Sequence, residues 1–274
     1  GVIASSFGID YIWNPGQAPA TKPAFQTIDE ALSFNIKPVK ETEIGKHTLQ
    51  MVTYFLEKTK GKLPLSMCDI QSPFNNATNI VDTTSFMTSM ILEPEKVLRF
   101  LEVIADLEIE FYEEQRKMIG EALVKPGHGF ASSRFFEGFG VSDDNLVMVD
   151  SETYLNLVAR SFIKLGSRFG GPVLHSCGDF SDKTAIFKKI EGLKMVDAAF
   201  TPETDPHPNP AEPFLNELSG SKIVLHARMV GDQDVVAETT KALWNNDMKL
   251  VVVTYCETAE EQKAAYEMIT SICK

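Results

Sequence analysis

The sequence predicts an α/β protein built on a parallel sheet, and three observations support that prediction. From residue 64 onward, short β-rich runs alternate with longer amphipathic helical patterns. The strand runs are apolar along both faces, which is typical of strands in a parallel sheet covered by helices. The even spacing of these units in the second half favours a (β/α)8 barrel, although an open doubly wound sheet also fits.

The first half contains one strand candidate and a long helical region. Residues 63–70 (LPLSMCDI) are typical of a strand, and residues 85–120 predict two consecutive helices. Glu93 and Pro94 mark the start of the second helix, because proline is favoured at a first helical position. The role of roughly the first 60 residues stays open at this point.

The second half alternates regularly. Residues 134–141 are a weaker strand candidate, and residues 150–171 predict a helix capped by Asp150 or Ser151. The remaining runs give strands at 172–177, 195–200, 222–228 and 249–256, with helices at 183–193, 213–220, 235–246 and 258–272. No linker or low-complexity tract interrupts the pattern, so we expect a single domain over residues 1–274.

Composition excludes several classes of function. The net charge of −12 argues against a nucleic-acid partner, because such binding depends on clustered Lys and Arg. No stretch approaches the roughly 18 apolar residues of a membrane span, and the start lacks the basic region of a signal peptide. We therefore expect a cytoplasmic protein without a membrane partner, whose four cysteines are reduced thiols.

Three soft metal ligands fall at predicted strand ends. His175 and Cys177 are two positions apart, so their side chains should emerge on one side, and Cys256 closes a later strand run. Imidazole and thiolates are the usual ligands of Zn²⁺, and three protein ligands leave one position open, as in catalytic sites. The alternative is that these cysteines are small buried residues and that His175 only packs against the strand end.

Other polar residues at strand ends are candidates for substrate binding. Asp69 and Gln71 follow the first strand run, Asp143 and Asp144 follow the weak one, and His226 ends another. Each has a simpler interpretation as a helix cap, a turn residue or a packed histidine.

Two further features lie on the same predicted edge. Arg228 could bind an anion. Residues 202–213 contain several prolines, together with Asp205 and His207, and a rigid loop across the barrel mouth is favoured over a metal site there. No nucleotide-binding glycine motif and no GxSxG nucleophile motif is present.

Several segments, taken in order, resemble the uroporphyrinogen decarboxylase superfamily. They are DIQSPFNNAT, EPEKVLRFLEVIADLEIEFYEEQ, SDDNLVMVDSETY, GGPVLHSCGD and a late YC, which together cover about residues 64–274. Within that superfamily the sequence is most similar to the cobalamin-dependent methyltransferases of the methylcobamide:coenzyme M type. His175, Cys177 and Cys256 match the His-x-Cys and later Cys of their zinc motif.

The resemblance implies a (β/α)8 barrel whose site lies at the C-terminal mouth. It implies methyl transfer between a corrinoid, such as methylcobalamin, and a small thiol activated on zinc. The chain has no Asp-x-His-x-x-Gly corrinoid motif, so the corrinoid is expected either free or on a partner corrinoid protein. Family members carry an N-terminal segment that is expected to be missing here, which would leave the barrel without its N-terminal portion.

Two alternatives remain open. One is a metal-free decarboxylase of a carboxylated tetrapyrrole, in which Asp69 steadies pyrrole N–H groups; the arginine motif of true decarboxylases is not found. The other is a non-catalytic subunit that binds a corrinoid protein. Bound zinc separates the methyltransferase from both.

Overall fold

Five parallel strands form one sheet in the computed structural model, which describes residues 1–274. The strands pair in the order in which they occur along the chain, so each one lies beside the next. They are β1 (Phe139–Ser142), β2 (Pro172–His175), β3 (Met195–Ala199), β4 (Val224–Arg228) and β5 (Leu250–Val253). This sequential parallel order with helical connections is that of a barrel segment, and the predicted α/β class is confirmed.

The predicted eight-stranded barrel is only partly formed, because five strands are paired. The strand expected at 63–70 contributes one isolated parallel bridge, between Leu65 and Leu123. The strands expected at 172–177 and 249–256 both end earlier than predicted, at His175 and Val253. The structure is therefore a partial barrel.

Side chains explain why residues 67–71 do not join the sheet. The N–H of Cys68 donates to the Gln115 side chain at 2.8 Å, and the N–H of Ile70 donates to the Tyr112 hydroxyl at 3.2 Å. Donors used in this way cannot form a strand ladder. Gln71 then takes a left-handed φ of 61°, which ends the extended backbone.

Helices cover the sheet and build the first half of the chain. Its α-helices are α1 (Ile28–Ser33), α2 (Glu43–Thr59), α3 (Pro73–Ile80), α4 (Thr83–Leu92) and α5 (Pro94–Ile119). The second half adds α6 (Ser151–Thr153), α7 (Ala159–Ser167), α8 (Ala211–Leu218), α9 (Gln233–Leu243) and α10 (Ala259–Ile272). Short 3-10 helices occupy Ile3–Phe7, Val39–Glu41, Gly120–Ala122, Asp144–Met148 and Ser181–Lys189. No helix has the length and apolar character needed to cross a bilayer.

Local signals account for two of the helix starts. Pro94 begins α5, as predicted, and Asp150 caps α6 by accepting the N–H groups of Glu152 and Thr153. A π-helical turn, Tyr154–Val158, joins α6 to α7. The extra residue in such a turn changes the direction of nearby side chains, and turns of this kind are frequent at functional sites.

One hydrophobic core joins the two halves of the chain. It contains 53 buried residues that extend from Val2 to Met248. β3 is buried along its whole length, whereas β5, at the edge of the sheet, is half-buried at every position. The C-terminal edge of the sheet, which we call the mouth, therefore rests on a rigid base.

Candidate metal centre

Strand register brings two histidines and one aspartate into a row at the mouth. His175 of β2 pairs with Asp197 of β3, which in turn pairs with His226 of β4. Paired residues of adjacent parallel strands point to the same face and lie about 4.8 Å apart. Both histidines consequently reach the same carboxylate, with each Nδ1 at 2.5 Å from one of its oxygens.

Asp197 is held in its ionised form. Its side chain is 3% exposed, and burial by itself would raise its pKa. The hydrogen bonds from His175 and His226 and the charge of Arg228 outweigh that effect and lower the pKa well below its usual range. Arg228 also donates its Nε–H to the carboxylate at 2.9 Å. The ionised Asp197 therefore accepts a hydrogen bond from the Nδ1–H group of each histidine ring.

His226 has no free ring nitrogen. Its Nε2 accepts the backbone N–H of Ala131 at 3.0 Å, so Nδ1 carries the hydrogen that is donated to Asp197. The side chain is 1% exposed. In this structure His226 is buried beneath the loop of residues 127–136. A substrate at the mouth therefore does not reach the ring in this conformation, although His226 was predicted to contact substrate.

His175 has a free Nε2. Because its Nδ1 donates to Asp197, the neutral ring carries its lone pair on Nε2. That atom lies 3.5 Å from Cys177 Sγ and 3.7 Å from Asp144 Oδ1. Ligand atoms of these three residues all lie within 4.8 Å of one another. His175 and Cys177 do emerge on one side, and the chemistry of the set suits a divalent ion.

Asp144 was predicted to bind substrate, and the structure places it beside His175 and Cys177. Its Oδ2 accepts from the Ser142 hydroxyl at 2.5 Å and from the Asn75 amide at 3.1 Å. Its Oδ1 accepts the N–H of Cys177 at 3.1 Å. Burial opposes ionisation, but these bonds and the nearby His175 lower the pKa of the carboxyl. Asp144 is therefore a fixed anion.

Cys177 follows β2 on a turn that is anchored from the other side of the mouth. Asp205 accepts the N–H of Gly178 at 2.8 Å, and Asn209 bonds both Phe180 N–H and Gly178 carbonyl at 2.9 and 3.0 Å. The predicted proline-rich loop thus holds this turn. Burial, followed by the charge of Asp144, raises the pKa of the Cys177 thiol to about 11. A bound cation is needed to make it a thiolate.

Cys256 lies apart from this group. It falls three residues beyond the end of β5 and lines a cavity of about 320 Å³ with Asp232 and Gln233, at the start of α9, and Met268 of α10. Its Sγ is not among the ligand atoms within 4.8 Å of His175 and Cys177. Its predicted role as the third ligand stays a prediction.

The other residues that were predicted to bind substrate lie around the mouth. Asp143 is fully buried and accepts hydroxyl hydrogens from Ser72 at 2.8 Å and Tyr154 at 2.7 Å. Burial raises the pKa of its carboxyl to about 6. Asp143 supports the mouth from below and is not open to substrate. Gln71 is half-buried, and its amide oxygen accepts from Asn79 at 2.9 Å.

Asp69 is open to the mouth and pairs with a histidine that sequence reasoning did not use. Its carboxylate lies 2.6 Å from His128 Nδ1, and its side chain is 38% exposed. Burial opposes the effect, but this pairing lowers the pKa of Asp69 and raises that of His128. The His128 ring lies 4.6 Å from the His175 ring. Asp69 and His128 thus lie beside His175.

Sequence reasoning missed Asp197 and His128. Asp197 had a usable signal, because an aspartate inside the otherwise apolar run MVDAAF must find partners when buried. His128 had a weaker one: glycines flank it, and its own backbone takes a left-handed φ of 46°. That conformation is uncommon for a residue other than glycine and is often found at functional sites.

Comparison with known proteins supports the resemblance found in the sequence. Residues 1–125 match the model of the family described as Uroporphyrinogen decarboxylase (URO-D). No curated protein matches the chain. A methyltransferase from Methanosarcina mazei has a similar structure, with a TM-score of 0.68 and 14% sequence identity over 98% of this chain and 77% of that one. At this identity the similarity concerns the fold.

The family match changes the expected extent of the resemblance. It was predicted over residues 64–274, whereas the matched segment begins at residue 1 and includes the first 63 residues. Those residues carry the helix Ile3–Phe7 and α1 and α2, and they contribute to the shared core. The predicted resemblance to the uroporphyrinogen decarboxylase superfamily is thus confirmed, and the family match itself lies at residues 1–125, on a fold shared with a methyltransferase.

Proposed function

We propose that the chain is a zinc-dependent methyltransferase that moves a methyl group between a corrinoid and a thiol. The observation that carries the proposal is the free Nε2 of His175, which faces Cys177 Sγ at 3.5 Å. Asp197 fixes the tautomer that a metal ligand needs. The fold similarity to a methyltransferase and the family match support an enzyme of this kind.

The residues at the mouth fit a zinc ion. They provide one imidazole nitrogen, one thiol sulfur and one carboxylate oxygen close together, and a borderline-soft divalent ion accepts all three. A bound zinc ion would lower the pKa of a substrate thiol, so that the sulfur is nucleophilic at neutral pH. His175 and Cys177 would hold the ion, and Asp197 would orient His175.

The remaining residues position the substrates. Cys177 and Asp179 are exposed, so the mouth is open to water and the thiol proton can leave to solvent. A methylated corrinoid would supply the methyl carbon to the substrate sulfur, and it would keep the electron pair of the cobalt–carbon bond. Asp69 and His128 lie beside His175, where they would contact the body of the thiol.

Metal analysis followed by a transfer assay tests the proposal. We expect about one zinc per chain in purified protein and thiol-dependent loss of methylcobalamin absorbance. Cys177→Ala should abolish both, and Cys273→Ala, at the end of α10, should change neither. Folded protein that never met a chelator, holds no zinc and transfers no methyl group would refute the proposal.

Metal-free decarboxylation is the second candidate. The family match favours it, because the matched model is that of a decarboxylase. Asp69, a partly exposed carboxylate at the mouth, would then steady the pyrrole N–H groups of a tetrapyrrole. Turnover of a porphyrinogen by chelator-treated protein, and its loss in Asp69→Ala, would support this reaction. Unchanged porphyrinogen would exclude it.

A further inference from the structure

We propose that a cavity in the N-terminal part of the chain is a second ligand site, which binds a protonated primary or secondary amine with an apolar body. The cavity has a volume of about 670 Å³ and lies between the helix Ile3–Phe7 and the start of α2. A volume of this size is typical of small-molecule sites. None of the residues at the mouth lines it, so the inference is independent of zinc and of methyl transfer.

One wall of the cavity is aromatic and consists of Tyr11, Trp13 and Phe34. The Tyr11 and Trp13 rings meet edge to face with centroids 5.7 Å apart, and Trp13 is 68% exposed. Gly8 takes a left-handed φ of 73°, and a Cβ there would come within 2.9 Å of the Phe34 ring, so the glycine makes room for that ring. Aromatic rings attract apolar groups and also cations, and tryptophan attracts cations most strongly.

The charge of the cavity favours a cation. Asp10, Glu41 and Glu43 line it, and none of these exposed carboxylates forms an ion pair. The other charged or titratable side chains at the cavity are Lys37, which also forms no ion pair, and His47. Three carboxylates outweigh one lysine, so the cavity attracts a cation and disfavours an anion.

A buried hydroxyl group at the cavity lacks a partner. Ser6 lines the cavity and is 0% exposed, and its Oγ has no hydrogen-bond partner in the protein. The Oγ of the neighbouring Ser5, by contrast, lies 2.8 Å from Thr42 Oγ1. An unpaired buried hydroxyl costs free energy, which a ligand N–H group would recover by donating to Ser6. A quaternary ammonium has no such group, so a primary or secondary amine is the better match.

Hydrogen bonds hold the cavity in shape. Residues 5–13 and 34–47 line it, and the N–H of Lys37 joins these two segments by donating to the Ser6 carbonyl at 3.1 Å. Thr42 caps α2 by accepting the N–H of Gly45 at 3.0 Å, and its bond to Ser5 ties this cap to the first segment. A site that is already formed loses less free energy when the ligand binds.

Three probes of similar shape and different charge test the proposal. Phenethylamine is a cation at neutral pH, 2-phenylethanol is neutral and 3-phenylpropionate is an anion. The chain has two tryptophans, Trp13 at the cavity and Trp244 at the end of α9, so protein fluorescence follows binding. We expect saturable binding of phenethylamine, about tenfold tighter than that of the alcohol, and no binding of the anion. Equal affinity for amine and alcohol, binding of the anion, or no saturable binding of the amine overturns the proposal.

Removal of the carboxylates tests the role of charge. Asp10→Asn combined with Glu41→Gln should weaken phenethylamine binding about fivefold or more and leave 2-phenylethanol binding unchanged, because only the cation uses the carboxylates. Both side chains are exposed, so the double variant should fold. Glu102→Gln, exposed on α5, is the control and should bind both probes as wild type does. Unchanged amine affinity in the double variant contradicts the proposal.

The role of Ser6 is tested with the trimethylated analogue of phenethylamine, which carries the same charge and has no N–H group. Wild type should bind the amine about threefold or more tighter than the analogue, and Ser6→Ala should remove that preference. Calorimetry measures both affinities. A folded Ser6→Ala protein that keeps the preference of wild type overturns the proposal.

The position of the ligand has a separate readout that does not need the Ser6 variant to fold. Trp13 is exposed, and Trp13→Phe should abolish the fluorescence response to phenethylamine, because Trp244 lies outside the cavity. A response that persists in Trp13→Phe would place the amine elsewhere and overturn the proposal.

Discussion

β2 and β4 carry the same residue type at matching register positions, and the two histidines behave differently. Each donates Nδ1 to the same carboxylate, Asp197, at 2.5 Å. In β4 the second nitrogen of His226 accepts a backbone N–H, whereas at the end of β2 the second nitrogen of His175 faces a thiol and a carboxylate. The partner of Nε2 thus separates a packed histidine from a candidate ligand.

The largest expected effect is at the end of β2. His175→Ala should weaken zinc binding by more than about 100-fold, because it removes the one imidazole of the set. The exposed His47→Ala is the matched control and should leave affinity unchanged. Competition titration with a chromophoric chelator measures both. Equal zinc affinity in His175→Ala and wild type would show that β2 carries no ligand.

The next effect is at His226 of β4 and concerns stability. His226→Ala leaves one oxygen of Asp197 buried without that partner, at about 1–3 kcal/mol, and removes the acceptor of the Ala131 N–H. Urea unfolding should show a loss in that range, while zinc affinity falls less than tenfold. If His226→Ala weakened the free energy of zinc binding more than the free energy of unfolding, His226 would act on the metal site as His175 does. The distinction between the two histidines would then be wrong.

Asp197→Asn should affect both histidines at once, because both donate to the Asp197 carboxylate. The amide cannot accept from two imidazoles and Arg228 as the carboxylate does, so we expect zinc binding to weaken about 10- to 100-fold. Stability should fall as well, through His226. Asp234→Asn, exposed at the start of α9, is the control. An unchanged zinc affinity would mean that Asp197 does not orient His175.

The smallest effect extends the comparison to a second buried carboxyl, Glu108 of α5. Asn76 is its one hydrogen-bond partner, and its Oε2 has none. Burial raises the pKa of Glu108 well above its usual value, in contrast to Asp197. The folded protein therefore keeps a proton there that the unfolded chain releases, and this contribution to stability is full below the unfolded pKa and declines as the pH rises.

Glu108→Gln removes that titration and keeps the acceptor for Asn76. As the pH rises above the pKa of Glu108 in the unfolded chain, the variant should gain on wild type by up to about 1.4 kcal/mol per pH unit. Urea unfolding at several pH values measures the difference, with the exposed Glu102→Gln as control. A difference that does not change with pH would show that Glu108 is ionised in the folded protein.

The parts of the site that follow from local spacing could be predicted, and those that follow from strand pairing could not. His175 and Cys177 were found because alternate residues at a strand end share a side. Asp197 joined them through register, which a single sequence does not specify. Cys256 was placed on a strand that ends three residues earlier, at Val253.

The fold, like the site, has parts that local sequence patterns predict and parts that they do not. The alternating units of the second half were predicted correctly because each strand run is apolar along both faces. Residues 63–70 have the same signature, yet Gln115 and Tyr112 take the N–H groups of that segment. Those two side chains come from α5, more than 40 residues away along the chain, at separations of 47 and 42 residues. No local pattern carries that information.

The anchored turn after β2 has a consequence for ion selectivity. Asn209 and Asp205 fix residues 178–180 before any ion arrives, so the spacing of the ligand atoms is set in advance. A fixed spacing favours ions with bonds near the length of those to zinc and disfavours larger ones such as cadmium. Asn209→Ala should lower the ratio of zinc affinity to cadmium affinity in competition titrations. Discrimination by size would then depend on a side chain that never touches the ion.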